Sequence, residues 1–309
     1  MKKVKYQHYV PRFYLERFCD FEGMVWVYDK FLRKSYRRKP SEIAGETYFY
    51  GVPDLGKHIG VEQFVEKFFQ PVEEEIAPIF EVLLRKLESH SYFKIYDEQR
   101  NSLAVFLGLQ LIRTPAHRAL ALQMRAEMEK LGFRTYLQHE HPDIANKDFE
   151  MTWDKERESF FHAQRILDTD GLKRVATVLY HHIWTVVENR SSKPLYTSDN
   201  PIVKKAHEKR GWRGNSGIAS RGIQLMFPLS SRFSLNLLER DRWQKFEKFD
   251  GKLLTLPMNE EIVQHDNSGQ VQESMRFLYC PADDFDLARE MCSRFPDLTD
   301  PKRRLITVG

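Results

Sequence analysis

The sequence predicts an α+β fold, with a helical middle packed on a mostly antiparallel sheet built from an N-terminal hairpin and C-terminal strands. Three observations carry this. Residues 24–38 alternate apolar and polar side chains in two short runs, the period of half-buried strands. From Phe64 to about His182 apolar residues recur every three or four positions, the period of amphipathic helices. After Trp184 short apolar runs return, separated by turn formers. One domain is expected over 1–309: a hairpin at about 24–50, a helical middle at 61–182, a strand-rich part at 183–280 and a tail at 281–309.

Residues 8–18 mix aromatics, Pro11 and charges, and read as a loop entering a short helix. Met24 to Asp29 and Lys34 to Arg38 form the hairpin, and Glu46 to Tyr50 a further strand or turn. Phe64, Phe68, Phe69, Val72, Ile76, Phe80, Leu83 and Leu87 then make a helical stripe, which Pro71 and Pro78 should bend or split. Asp97 can cap a second helix ending near Thr114, because Pro115 disfavours helical geometry in the residue before it. Pro115 suits the first turn of a third helix, and Gly132 its end. Trp153 to Asp168 and Leu172 to His182 read as two more. Trp184 to Glu188, Pro194 to Thr197, Ile223 to Phe227 and Phe233 to Leu238 are strand-like. Asn259 can cap a late helix running towards Met275, with Arg276 to Tyr279 returning as a strand. The hairpin and the later strands are expected to share one sheet.

Composition narrows the class. Hydrophobic residues at 41% and charged residues at 30% are a globular balance, and 22 Phe with 13 Tyr supply aromatic area for a well-packed interior. A net charge of +4, from 48 basic and 44 acidic residues, lacks the excess common in nucleic-acid binders. The basic runs Arg33–Lys39 and Pro301–Arg304 read as solvated faces. Three widely spaced cysteines without a C-x-x-C pair support neither a disulfide framework nor a cysteine zinc site, and suit free thiols in a reducing cytoplasm. Tyr6-Gln7-His8-Tyr9 stands where a signal peptide would be apolar, and the run Leu103–Ile112 is too short to span a bilayer. A cytoplasmic protein with no membrane partner is expected.

Three constellations carry candidate chemistry. Gln7-His8-Tyr9-Val10-Pro11-Arg12 packs an imidazole and a guanidinium beside a stiffening proline. His8 can move protons or bind metal, and Arg12 can hold phosphate or carboxylate. The plainer account is an aromatic N-terminal anchor. Gln110 and Arg113 interrupt an apolar helical stripe with Leu103 and Phe106, and burying them costs several kcal/mol in order of magnitude unless they find partners. A ligand or a neighbouring carboxylate would serve equally. Thr197-Ser198-Asp199-Asn200-Pro201 ends a strand, where Asp199 can act as base or metal ligand and Asn200 can orient a substrate. A plain turn explains the same residues.

His8-Tyr9-Val10-Pro11 and Ser198-Asp199-Asn200-Pro201 together resemble the paired HYVP and SDNP motifs of a bacterial domain family of unknown function. Phe13-Tyr14-Leu15, Trp26–Lys30, Arg113-Thr114-Pro115 and Phe227–Ser230 fit it too, so the resemblance covers about residues 7–280. It implies one shared pocket, with His8, Asp199 and Asn200 catalytic and Arg12, Gln110 and Arg113 binding substrate. The reaction expected of that pocket is hydrolysis of a phosphate-containing substrate, nuclease-like, with a divalent metal an open question; in a bacterium it would suit phage defence. A non-catalytic module for an anionic ligand or nucleic acid, or a purely structural polar network, are the alternatives.

Other motifs fail on spacing. Ser198-Asp199-Asn200 with Ser91-x-x-Lys94 lacks a following K-T-G, Gly211, Gly214 and Gly217 match no phosphate-loop fingerprint, and His139-Glu140-His141 and His181-His182 lack H-E-x-x-H geometry.

Overall fold

The computed structural model describes residues 6–51, 64–90, 93–144, 147–208, 217–254 and 257–305; Ser91, Gly211 and Gly214 lie outside them. Strands β2 (Val25–Asp29) and β3 (Lys34–Arg38) pair antiparallel as the predicted hairpin. The turn forms because Asp29 Oδ1 accepts from the N–H groups of Phe31 at 3.0 Å and Leu32 at 3.2 Å, while Arg33 takes a left-handed φ of 52°.

The hairpin belongs to a four-stranded sheet of order β3-β2-β11-β6, in which β11 (Phe277–Cys280) lies between β2 and β6 (Thr197–Ser198). A separate five-stranded sheet has the order β10-β5-β9-β8-β7, from Lys252–Leu253, Ile183–Glu188, Phe233–Leu238, Ile223–Pro228 and Val203–Ala206. Only its β10–β5 edge is parallel. The C-terminal strands thus divide between two sheets instead of joining the hairpin in one. Every residue of β5 and β9 is buried, so neither face of those strands is left to water. A short third ladder joins β1 (Tyr6–His8) to β4 (Gly45–Thr47).

The helical middle comprises α2 (Phe64–Glu88), α3 (Asp97–Ile112), α4 (Pro115–Glu140), α5 (Lys155–Leu167) and α6 (Thr169–Tyr180). Helix α2 is continuous, so of the expected bend or split at Pro71 and Pro78 the split does not occur. Both prolines are exposed and lie seven residues apart on the outer face. The carbonyls that they deprive of a partner, on Lys67 and Glu74, belong to exposed residues where water can serve. Helix α4 likewise runs through Gly132 to Glu140, since an exposed mid-helix glycine costs only about 1 kcal/mol. Gly108 on α3 is required by a close approach: a Cβ there would stand 3.2 Å from both Leu172 and Val175 of α6.

An aromatic centre joins helices to sheets. Tyr14, on the short helix α1 (Arg12–Leu15), stacks on Phe227 of β8 at 4.9 Å, and Phe80 and Phe106 pack edge-on around that pair. The Tyr14 hydroxyl lies 2.7 Å from Thr197 Oγ1 and donates to the Pro228 carbonyl at 2.8 Å, reaching both larger sheets. Asn259 Oδ1 caps helix α8 (Glu260–Glu273) by accepting from Ile262 N–H at 2.9 Å. Helices α7 (Arg240–Trp243) and α9 (Asp286–Arg294) complete the described set. All three cysteines are free. Among the described residues no helix is long and apolar enough to cross a membrane.

Candidate functional site

The HYVP segment is held by its backbone. Tyr9 and Val10 N–H both donate to the Ala44 carbonyl, and Gln7 Oε1 accepts from Tyr50 N–H at 2.7 Å. A side chain at Gly45 would place its Cβ 2.7 Å from the Gln7 carbonyl, so the β1–β4 ladder needs glycine there. The half-buried His8 ring meets the edge of Tyr6 at 5.1 Å. Burial and the Arg113 charge lower its pKa, against the opposing effects of Glu73 and the Ser41 and Pro40 backbone, so the ring is neutral at pH 7. Its Nε2 is buried without a hydrogen-bond partner among the described residues.

The end of α3 clamps this segment from one side. Gln110 Nε2 donates to the Tyr9 carbonyl at 3.0 Å, and Arg113 Nη2 to the His8 carbonyl at 2.9 Å. Arg113, only 1% exposed, also pairs through Nη1 with Glu73 Oε1 at 2.8 Å and lies 4.4 Å over the Phe69 ring. Burial works against its charge, but Glu73, Tyr50 and Glu66 outweigh it and raise its pKa. Arg113 Nε and Gln110 Oε1 are buried without partners among the described residues.

Two carboxylates of α2 complete the cluster, and sequence reasoning missed both. Glu73 is partly exposed, its side chain 31% open to solvent. Glu66 Oε1 is buried and unpartnered among the described residues. Burial raises the Glu66 carboxyl to about 7, with Arg113 pulling it down and Glu73 adding to the rise. Their signal was present: Glu66, Phe69, Glu73, Ile76 and Phe80 share one stripe at three- and four-residue steps, so two acids interrupt a buried face.

The SDNP turn is fastened differently. Asp199, 1% exposed, accepts from Met275 N–H through Oδ1 at 2.8 Å and from Arg276 and Phe277 N–H through Oδ2 at 2.7 and 2.8 Å. Burial raises its pKa, opposed by those three N–H groups and by Lys30. Lys30, fully buried, donates to the Val271 and Ser274 carbonyls at 2.9 and 2.6 Å, and Arg303 Nη2 to the Ser274 carbonyl at 2.7 Å. Two cations therefore cap the C-terminal end of α8, where the helix dipole favours positive charge. Ser198 Oγ donates to Gln270 Oε1 at 2.7 Å, and Asn200 Nδ2 to the Glu273 carbonyl at 3.2 Å.

The two motifs meet through the helical layer. Thr114, directly after Arg113, donates from Oγ1 to Asn200 Oδ1 at 3.2 Å. His8, Gln110 and Arg113 share one cluster, Asn200 joins it through Thr114, and Asp199 lies behind Asn200 against the turn that follows α8. Arg12 stands apart: its side chain is 64% exposed and pairs with Glu16 at 3.0 Å. Among the described residues no group of three or more His, Cys, Asp or Glu side chains is arranged to hold a metal ion.

A model of the family described as protein of unknown function (DUF4238) matches residues 6–284, and the chain belongs to that family. No curated protein and no solved structure matches it.

Proposed function

We propose that the chain is a hydrolase of a phosphate-containing substrate, with His8 and Glu66 as its proton-moving pair and Arg113 as the cation that meets the phosphate. One observation carries this reading. A neutral imidazole with a buried, unpartnered nitrogen and a carboxyl raised to about 7 flank one guanidinium whose Nε–H is also unpartnered among the described residues. Buried polar atoms ordinarily find partners, so several vacancies around one charge suit a polar ligand. At pH 7 His8 can take a proton from water while protonated Glu66 gives one to a leaving group, and groups tuned to operate near pH 7 are what acid–base catalysis uses. Asp199 and Asn200 then act as positioning residues, because both Asp199 oxygens are already taken by backbone N–H groups. Arg12 has no part in it.

That commitment of Asp199 also favours a second reading, in which both motifs are only a polar lock between layers. The test is hydrolysis of bis-para-nitrophenyl phosphate and of single-stranded DNA and RNA, with and without magnesium or manganese. Turnover lost in His8→Ala and Glu66→Gln, in proteins that remain folded by circular dichroism, supports the hydrolase. Wild-type turnover no greater than that of the double variant, together with an ordinary Glu66 pKa by carbon NMR, leaves the lock.

A further inference from the structure

Helix α4 is 26 residues long, yet of its side chains only Ala116 and Leu137 are buried. Met124, Met128 and Leu131 are 51%, 73% and 69% exposed. With Ala121 and Thr135 they follow a three-four-three-four spacing, the seam of a two-stranded coiled coil. The chain itself covers both flanks of this strip. On one side Arg125 lies 3.6 Å over the Phe161 ring of α5. On the other Gln123 Oε1 accepts from Leu305 N–H at 2.7 Å, and Glu127 pairs with Arg304 at 3.1 Å. What remains open is a strip that is apolar from Ala121 through Met124 and Met128 to Leu131 and ends at Thr135.

We propose that a second copy of this chain covers the strip, with the two α4 helices antiparallel across a two-fold axis. Charge decides the direction. In the antiparallel arrangement Met128 faces Leu131 of the partner subunit, and Met124 faces Thr135 of the partner subunit. The residues beside the seam then bring Glu127 against the partner's Arg134, an opposite-charge pair that symmetry repeats. Set parallel, Glu127 would meet Gly132 of the partner subunit and Leu120 would meet the partner's Arg125, so no such pair forms. Neither charge is strongly held within its own chain: Arg304 is 61% exposed, and Asp148, the 3.3 Å partner of Arg134, is 97% exposed. A self-complementary patch of this kind generates a closed dimer rather than a fibre.

Light scattering after gel filtration tests this on the full chain at micromolar concentration. The wild type is expected at twice the chain mass of 36.8 kDa, and Met128→Glu with Leu131→Glu at one chain mass, with the circular dichroism of a folded chain because both side chains are exposed, and with a melting temperature that no longer rises with protein concentration. Glu127→Arg alone and Arg134→Glu alone should each weaken the dimer roughly tenfold or more, and the double exchange should restore it. A monomeric wild type overturns the proposal. So does a dimer indifferent to the glutamates at 128 and 131, or a monomer that sediments with anionic vesicles through the same strip. Failure of the double exchange to restore the dimer overturns the antiparallel arrangement.

Discussion

Arg113 Nη2 donates to the main-chain carbonyl of His8, a residue 105 positions earlier, at 2.9 Å. The guanidinium thereby grips the backbone of the HYVP segment while its other arm holds Glu73 of α2. Three segments far apart in sequence converge on one buried cation, and a buried cation is stable only while its partners remain.

Replacing Arg113 by Met should therefore lower stability by about 3 kcal/mol, because the His8 carbonyl loses its donor and Glu73 its counter-charge. Lysine, with one ammonium in place of a fork, should recover only part of the loss. Urea unfolding of the two variants against the wild type measures both effects.

Asp199→Ala strips acceptors from three backbone N–H groups at once and should cost on the order of 3–5 kcal/mol, enough to deplete the folded protein. Asp199→Asn keeps the shape and one acceptor oxygen, and should cost less. A shift in the urea midpoint for the alanine variant no larger than for an exposed substitution such as Arg12→Ala would contradict the anchoring role.

Glu66 sets a pH dependence. Its folded pKa of about 7 lies above the ordinary 4.5, so the folded state holds its proton more tightly than the unfolded chain. The associated stability is complete below about 4.5 and is lost as pH rises through 7, by on the order of 1–3 kcal/mol. Glu66→Gln should flatten that decline. Equal slopes for variant and wild type between pH 4.5 and 7 would show that the carboxyl titrates normally.

Lys30 works in the opposite sense. Burial, aided by the Arg303 charge, lowers its pKa from 10.5 to about 8, with Asp199 resisting. Between those values the unfolded chain binds the proton and the folded one does not, so this residue's contribution to stability rises with pH from about 8 towards 10.5. The difference between wild type and Lys30→Met, followed by urea unfolding across that window, should grow in favour of the wild type.

Local physics was legible in the sequence where one element decides its own structure. The hairpin at Val25–Arg38, the cap at Asn259 and the Thr114-Pro115 helix start all follow from residues next to one another. The buried stripe with Gln110 and Arg113 was visible from spacing, and so was their need for partners. What spacing could not supply was the identity of those partners: carbonyls of His8 and Tyr9, and an acid on α2. Backbone acceptors carry no side-chain signature. The division into two sheets was hidden for a similar reason, since β6 is two residues long and its neighbour β11 lies some eighty positions away.

The place of Phe277–Cys280 in the middle of the four-stranded sheet bears on how the chain is made. Leaving the ribosome, the hairpin at Val25–Arg38 emerges early, and an isolated hairpin is marginal in water. Its inner edge, Val25–Asp29, must wait about 250 residues for the strand that pairs with it, while the helices between can form from nearby contacts. Through most of translation the nascent chain thus carries an open strand edge, a state prone to aggregation. Fragments that stop before Phe277 should be recovered chiefly in inclusion bodies or bound to chaperones.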